Sequence, residues 1–176
     1  GMVVESSPVG DSKGNGVIER AVKSVQGQVR VLRSALEERI GAKLDPHHAV
    51  FPWMVEYASL TLNRFEVGRD GRTAYERNKQ KKAKMSGMEF GEAVLWKRKA
   101  SGGNLGKLTC LCEDGVYLGV KATTGEIVVG TKKGIWRTRS VRRKPLELRW
   151  RTENMEMVGG VPWKMNEKGE KVDGEG

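Results

Sequence analysis

Apolar residues recur every three or four positions along residues 16–40. The positions are Ile18, Val22, Val25, Val29, Leu32, Leu36 and Ile40. This spacing places the side chains on one face of an α-helix, so it predicts an amphipathic helix whose apolar stripe packs against another element. Asn15 or Gly16 is the predicted N-cap, and Gly41 is the predicted end. The prediction places Glu19 in the first turn of this helix.

A second helical face follows, and a short third helix comes after it. The second face consists of Trp53, Met54, Tyr57, Ala58, Thr61, Leu62 and Phe65. This pattern predicts a helix that begins near Asp45 or restarts after Pro52 and ends before Gly68. Thr73 and Glu76 form the T-x-x-E pattern of a capping box, which predicts the start of a short third helix.

The pattern changes at Met88, after which short β-prone runs alternate with glycine-rich turns. The runs are FGEAVLWKRK, LTCLCEDGVYLGVKA, EIVVGT and IWRTRSV. Four or five short strands of this kind predict a small antiparallel barrel. The predicted fold class is therefore α+β, with a mainly helical domain at residues 1–87 and a β-barrel at residues 88–146. The tail, residues 147–176, is rich in Glu, Lys and Gly, and we expect it to be disordered.

Positive charge is concentrated in two segments of the chain. The 176 residues have a net charge of +10, and residues 1–68 are neutral. Residues 69–99 hold 10 bases and 4 acids, and residues 121–151 hold 10 bases and 2 acids. Two basic segments predict a polyanionic partner, most simply DNA or another nucleic acid, although a solvated surface would have the same composition.

The first helix also carries a polar strip. From Glu19, the positions on the same face are Lys23, Gln26 and Arg30. A carboxylate beside cations suits metal-assisted chemistry on a phosphodiester, because the metal needs oxygen ligands and the DNA needs nearby positive charge. An ordinary i, i+4 ion pair between Glu19 and Lys23 would explain the same spacing, and spacing alone favours that simpler interpretation.

The segment GNGVIERAVKSVQGQVRVL resembles the last motif of the catalytic core of retroviral and retrotransposon integrases. Gly16-Val17-Ile18-Glu19 matches the family's G-x-x-E stretch, which opens a long helix and carries the final acid of an Asp, Asp, Glu triad. Lys23 falls where the family places a DNA-contacting lysine, and Gln26 occupies the next lysine position. Downstream, Thr73–Glu76 resembles the family's TPYE-like motif, with alanine in place of the usual proline.

The resemblance covers roughly residues 3–145 and implies the last helices of an RNase H-like core followed by an SH3-like barrel. It implies that Glu19 is a catalytic ligand of Mg²⁺ or Mn²⁺, that Lys23 and Arg30 hold DNA, and that an intact relative performs 3′-end processing and strand transfer. The family's two aspartates lie on strands well before the glutamate. Only 18 residues precede Glu19 here, and their one aspartate, Asp11, is eight positions away. We therefore expect this sequence alone to be catalytically silent and to bind no metal tightly.

The predicted barrel contains aromatic residues interleaved with cations. Trp96, Tyr117 and Trp136 could stack on bases, but we predict that the two tryptophans fill the small core instead. The predicted DNA contacts then fall to Arg137, Arg139, Arg142, Arg143 and Lys144. This run, RTRSVRRK, is also typical of a nuclear localisation signal. With no apolar run long enough to span a membrane, the predicted location is intracellular, and nuclear.

Other candidate sites favour simpler interpretations. Two residue pairs are candidate zinc ligands: His47 with His48, and Cys110 with Cys112. Each lacks the second ligand pair of a structural zinc site, so we predict that the two cysteines are reduced, buried thiols. No membrane or small-molecule partner is predicted. Integrases assemble as multimers, so the resemblance also implies a homo-oligomer. Two alternatives to an integrase fragment stay open: a non-catalytic host module that binds RNA, chromatin or a protein, and an inert, decaying retroelement fragment.

Overall fold

The chain is described by a computed structural model covering residues 12–84, 87–97 and 112–164. Three helices come first: α1 (Ser12–Ile40), α2 (Val50–Phe65) and α3 (Ala74–Lys79). All three predicted helices are confirmed. Helix α1 begins earlier than predicted, and no acidic residue lies in its first turn. The prediction that Glu19 occupies that turn was wrong, because the polar residues from Ser12 to Asn15 are themselves helical.

The ends of the helices follow from local backbone chemistry. Gly41 ends α1 with a φ of +67°, a left-handed conformation that favours glycine. Before α2, the Asp45 side chain accepts a hydrogen bond from the His47 backbone N–H at 2.7 Å, which forms a turn. Thr73 caps α3: its hydroxyl accepts from the Glu76 N–H at 3.1 Å, and the Glu76 carboxylate accepts from the Thr73 N–H at 2.7 Å. The predicted capping box is therefore confirmed.

Five strands form one antiparallel sheet in the order β4-β3-β2-β1-β5. The strands are β1 (Ala93–Lys97), β2 (Cys112–Val120), β3 (Ile127–Thr131), β4 (Gly134–Thr138) and β5 (Val141–Arg143). The register of β2 on β3 shifts between Tyr117 and Gly119. Gly119 has a φ of +120°, and a Cβ atom there would lie 3.0 Å from the Tyr57 ring, so glycine lets α2 approach the sheet closely. The α+β class and the antiparallel sheet are confirmed.

One hydrophobic cluster joins the helices to the sheet. Leu36 of α1 and Met54 of α2 are buried in the same cluster as Val116 and Leu118 of β2. The indole N–H of Trp53 donates to the Gly159 carbonyl at 3.0 Å, which adds the C-terminal segment to this core. The change of composition at residue 88 therefore separates helices from strands along the sequence, while the two halves share a core.

The segment that follows the sheet is folded as far as residue 164. It contains α4 (Leu146–Arg149) and two 3₁₀ turns, Thr152–Met157 and Pro162–Lys164. Our prediction of disorder was wrong for residues 147–164, because Met155, Met157 and Val158 are buried in the main core. Residues 165–176 lie outside the described part of the chain.

A second cluster lies on the opposite face of the sheet. Trp96 and Tyr117 are buried there, and Trp136 stacks on Trp96 with ring centroids 5.7 Å apart. The predicted core role of Trp96 is confirmed, and Trp136 is half-buried at the edge of the same cluster. Within the described residues, no helix combines the length and the apolar character needed to cross a membrane.

Candidate nucleic-acid interface

The basic run at residues 137–144 occupies the end of β4, the following turn and the edge strand β5. Arg139 lies in the turn and Arg142 on β5, and both are exposed. Neither has an ion-pair partner among the described residues. Among the described strands β5 pairs only with β1, and Arg142 stands opposite Leu95 at this edge of the sheet. These two guanidinium groups are available to contact a phosphate.

Arg143, the next residue, has a different environment. Its Nε and an Nη donate to the two carboxylate oxygens of Glu92 at 2.6 and 2.9 Å. Glu92 is fully buried, and it also accepts a hydrogen bond from the Glu89 backbone N–H at 3.0 Å. Arg149 lies 3.6 Å from the same carboxylate. The hydrogen bond to Glu92 raises the pKa of Arg143, so this arginine is a structural counter-ion of a buried acid.

Two further cations of the predicted DNA surface also have acidic neighbours. Lys144 forms an ion pair with Asp114. The side chain of Arg137 is only 8% exposed and lies 3.7 Å from Glu126. The structure therefore divides the predicted set: Arg139 and Arg142 face solvent, whereas Arg137, Arg143 and Lys144 are engaged with acids of the sheet.

The polar strip of α1 is open to solvent. Glu19, Lys23 and Arg30 are exposed, and the helical rise separates the first from the last by about 16 Å. Glu19 is thus accessible, as a metal ligand must be. In the described residues, however, no three acidic, His or Cys side chains lie close enough together to hold a metal ion. A two-metal centre needs several carboxylates, so the described residues do not fit the Mg²⁺ or Mn²⁺ site that the integrase resemblance implies.

The other metal candidates have structural surroundings. The Nδ1 atom of His48 accepts a hydrogen bond from the Val50 backbone N–H at 3.0 Å, at the start of α2, and His47 is exposed. Cys112 is half-buried at the start of β2, so its predicted burial is only partial. Cys110 falls outside the described residues.

Helix α1 also holds a buried carboxylate that the sequence pattern did not predict. Glu37 is 7% exposed and accepts hydrogen bonds from Arg33 Nε at 3.0 Å, from Lys43 Nζ at 3.1 Å and from the Leu44 backbone N–H at 3.1 Å. The hydrogen bond from Arg33, followed by the one from Leu44, lowers the pKa of Glu37 from 4.5 to about 2. The only sequence signal was the i, i+4 spacing of Arg33 and Glu37, which is common on solvated helices.

The apolar stripe of α1 is covered over only part of its length. Leu36 and Ile40 are buried, whereas Ile18 is 63% and Val22 is 49% exposed. An open apolar groove of about 620 Å³ runs along the N-terminal half of α1 and reaches Val55 of α2. We therefore confirm the predicted packing of the stripe for its C-terminal half only.

No protein-family model matches this chain, and no curated protein matches it.

Proposed function

We propose that this chain is a DNA-binding part of a retroelement integrase, comprising helices of an RNase H-like core and an SH3-like barrel. The motifs Gly16–Glu19 and Thr73–Glu76 support the family, and the five-stranded antiparallel sheet after the helices is compatible with such a barrel. The observation that carries DNA binding is the exposure of Arg139 and Arg142, with no acidic partner among the described residues, in a segment of strongly positive charge.

The proposal assigns DNA binding, and no cleavage step, to the residues described. Glu19 is a single carboxylate, and a two-cation phosphoryl-transfer centre needs more than one. The 3′-end processing and strand transfer of an intact integrase would need acids that the described residues do not supply. The basic run would also suit nuclear import of such a protein.

Phosphate binding by exposed arginines has a measurable signature. Each phosphate neutralised releases condensed counter-ions, so the logarithm of the binding constant falls with the logarithm of salt concentration by about 0.9 per contact on duplex DNA. Titration of the full chain with duplex DNA at several salt concentrations should therefore give a steep line. A response that is flat with salt would contradict phosphate binding.

Paired variants test which arginines carry the contact. The double variant Arg139→Ala/Arg142→Ala should flatten the slope by about 1.8. Arg69 is a matched control, since it is exposed and has no ion pair among the described residues, and Arg69→Ala should leave the slope unchanged. Equal losses per arginine removed, about 0.9 each, would mean that binding follows net charge and not this surface.

The strip on α1 adds a second, weaker contact to the proposal. Lys23→Ala and Arg30→Ala should each reduce duplex affinity, whereas Glu19→Gln should leave it unchanged or increase it, because a negative charge beside the phosphates is removed. A loss of DNA binding in Glu19→Gln, with folding intact by circular dichroism, would contradict this arrangement.

A further inference from the structure

A cavity of about 180 Å³ lined by two cations lies between the C-terminal half of α2 and the end of β2, away from β5. Its walls include Tyr57, Thr61, Arg64, Lys84, Tyr117 and Val120. Two of these side chains are cations, and no carboxylate is among the described residues that line the cavity. Glu89 lies near Tyr57, but its charge is paired with Arg39 at 2.8 Å.

Arg64 is held in place and incompletely hydrogen-bonded. Its guanidinium group lies over the ring of Tyr75 from α3, 5.4 Å from the ring centroid. Its Nε atom is excluded from water and has no hydrogen-bond acceptor among the described residues. Arg64 also donates no hydrogen bond from its terminal nitrogens within the described residues, and it lines the cavity, so an acceptor oxygen of a ligand there can be bound by this guanidinium.

The volume of the cavity and the charges of its lining residues suit a small anion. Pockets for drug-sized molecules occupy about 300–1,000 Å³, so this cavity fits a single compact group better than a whole nucleotide. Burial raises the pKa of Tyr57, so its phenol stays protonated and brings no negative charge to the site. The planar fork of an arginine together with a lysine ammonium is a combination that matches phosphate oxygens.

We propose that this cavity binds a phosphate group through Arg64 and Lys84. The phosphate could belong to the backbone of a nucleic acid or to a free phosphate ion, which share this chemistry. The site is separate from the surface formed by Arg139 and Arg142, and it goes beyond the DNA contact proposed for that surface.

The test is a nuclear magnetic resonance titration of the full chain with sodium phosphate and, separately, with a short single-stranded thymidine oligonucleotide, at constant ionic strength set by sodium chloride. We expect phosphate to shift the backbone amide signals of Thr61 and Val120. Arg64→Gln should weaken phosphate binding by roughly tenfold or more, because one charge-assisted partner is lost. Lys84→Ala should weaken it by a smaller factor, and because Lys84 is exposed this variant should stay folded.

Lys79→Ala is the matched control, since Lys79 is exposed on α3 and does not line the cavity, and it should bind phosphate like the parent chain. Shifts caused by the oligonucleotide as well as by phosphate would support the site and identify a nucleic-acid backbone as its source. Shifts from phosphate alone would support the site for the free ion.

The absence of shifts with both ligands, or shifts that persist in Arg64→Gln and Lys84→Ala, would overturn the proposal. The double variant Arg139→Ala/Arg142→Ala separates the two surfaces, because it should weaken duplex binding and leave the phosphate shifts intact. Either proposal can therefore fail without the other.

Discussion

Substituting Arg143 with alanine should destabilise the fold, whereas substituting its neighbour Arg142 should not. The two residues are adjacent on β5, but only Arg143 donates two hydrogen bonds to the carboxylate of Glu92. Glu92 is fully buried and stands beside the first residue of β1, so its charge cannot be solvated by water in the folded state. Arg143→Ala leaves that charge with Arg149 as its remaining cationic neighbour, at 3.6 Å.

The loss of stability in Arg143→Ala depends on how well the remaining charge of Glu92 is compensated. Removing one partner of a buried ion pair typically costs about 3–5 kcal/mol, because the other charge is left uncompensated. Arg149 partly compensates and the Arg143 side chain is 40% exposed, so we expect a cost below this range, about 2–3 kcal/mol. For a chain of this size that corresponds to a fall in Tm of roughly 4–12 °C. Arg142→Ala should change the free energy of unfolding by no more than about 0.5 kcal/mol.

Urea unfolding, followed by tryptophan fluorescence and far-ultraviolet circular dichroism, measures both variants on one scale. Glu92→Gln and the double variant with Arg143→Ala complete a double-mutant cycle, which should yield a favourable coupling energy between the two side chains. Equal stabilities of Arg143→Ala and Arg142→Ala, or a coupling energy of zero, would show that the Arg143–Glu92 pair does not stabilise the fold.

Three further predictions concern other parts of the chain. The hydrogen bonds to Glu37 lower its pKa from 4.5 to about 2, so its contribution to stability is present above about pH 4.5 and is lost as the pH falls toward 2. Glu37→Gln should therefore lower the urea midpoint at pH 7, and its difference from the parent chain should shrink between pH 4.5 and pH 2. Glu38→Gln, at an exposed residue, should change neither the midpoint nor its pH dependence. Thr73→Ala removes the cap of α3 and should cost about 1 kcal/mol in urea unfolding, whereas Thr73→Ser should restore most of it; equal losses in both variants would mean that the methyl group, not the hydroxyl, matters. If the homo-oligomer implied by the integrase resemblance forms through the apolar groove of α1, Val22→Lys should weaken self-association measured by sedimentation more than Lys23→Ala does, because it places a charge in the groove; unchanged association in Val22→Lys would mean that the groove is not the contact.

The three helices could be predicted from sequence, together with the ends of α1 and α2 and the start of α3, because their signals are local; α2 begins at Val50, between the two predicted starts. The apolar spacing of three and four defines α1 and α2, and the side chains of Thr73 and Glu76 act on backbone groups within three residues of themselves. The start of α1 was predicted too late, because residues 12–15 hold no apolar residue and include a glycine, which is a poor helix former. Tertiary context, or the cooperativity of a long helix, outweighs that low propensity.

Which arginines pair with an acid and which stay exposed could not be predicted, because this depends on strand register. Arg142 pairs with Leu95 and Arg143 with Val94, and adjacent residues of a strand point to opposite faces of a sheet. Only the register places Arg143 beside Glu92, which is 51 residues earlier in the chain. The folded segment after β5 was missed for a similar reason. Its buried apolar residues, Met155, Met157 and Val158, show no helical or strand period, and they are buried by contacts distant in sequence.

Because three of the five cations at residues 137–144 are paired with acids, this segment should contribute less to the salt dependence of DNA binding than its sequence suggests. Counted from sequence, five cations at residues 137–144 would contribute about 4.5 to the salt slope of duplex binding. Three of the five are paired with Glu126, Glu92 and Asp114, and to bind a phosphate each would have to give up a carboxylate that the sheet holds in place. Glu92 is fully buried and Glu126 is largely buried, so exchanging the partner of either leaves an acid uncompensated and gains little. Asp114 is 60% exposed, so its pair with Lys144 is weak and Lys144 can exchange it at small cost. The run should therefore contribute about 1.8 to 2.7 to the slope, of which Arg139 and Arg142 give about 1.8. A share near 4.5, obtained by substituting all five cations in a chain that stays folded, would mean that DNA displaces these ion pairs and that the sheet edge reorganises when it binds.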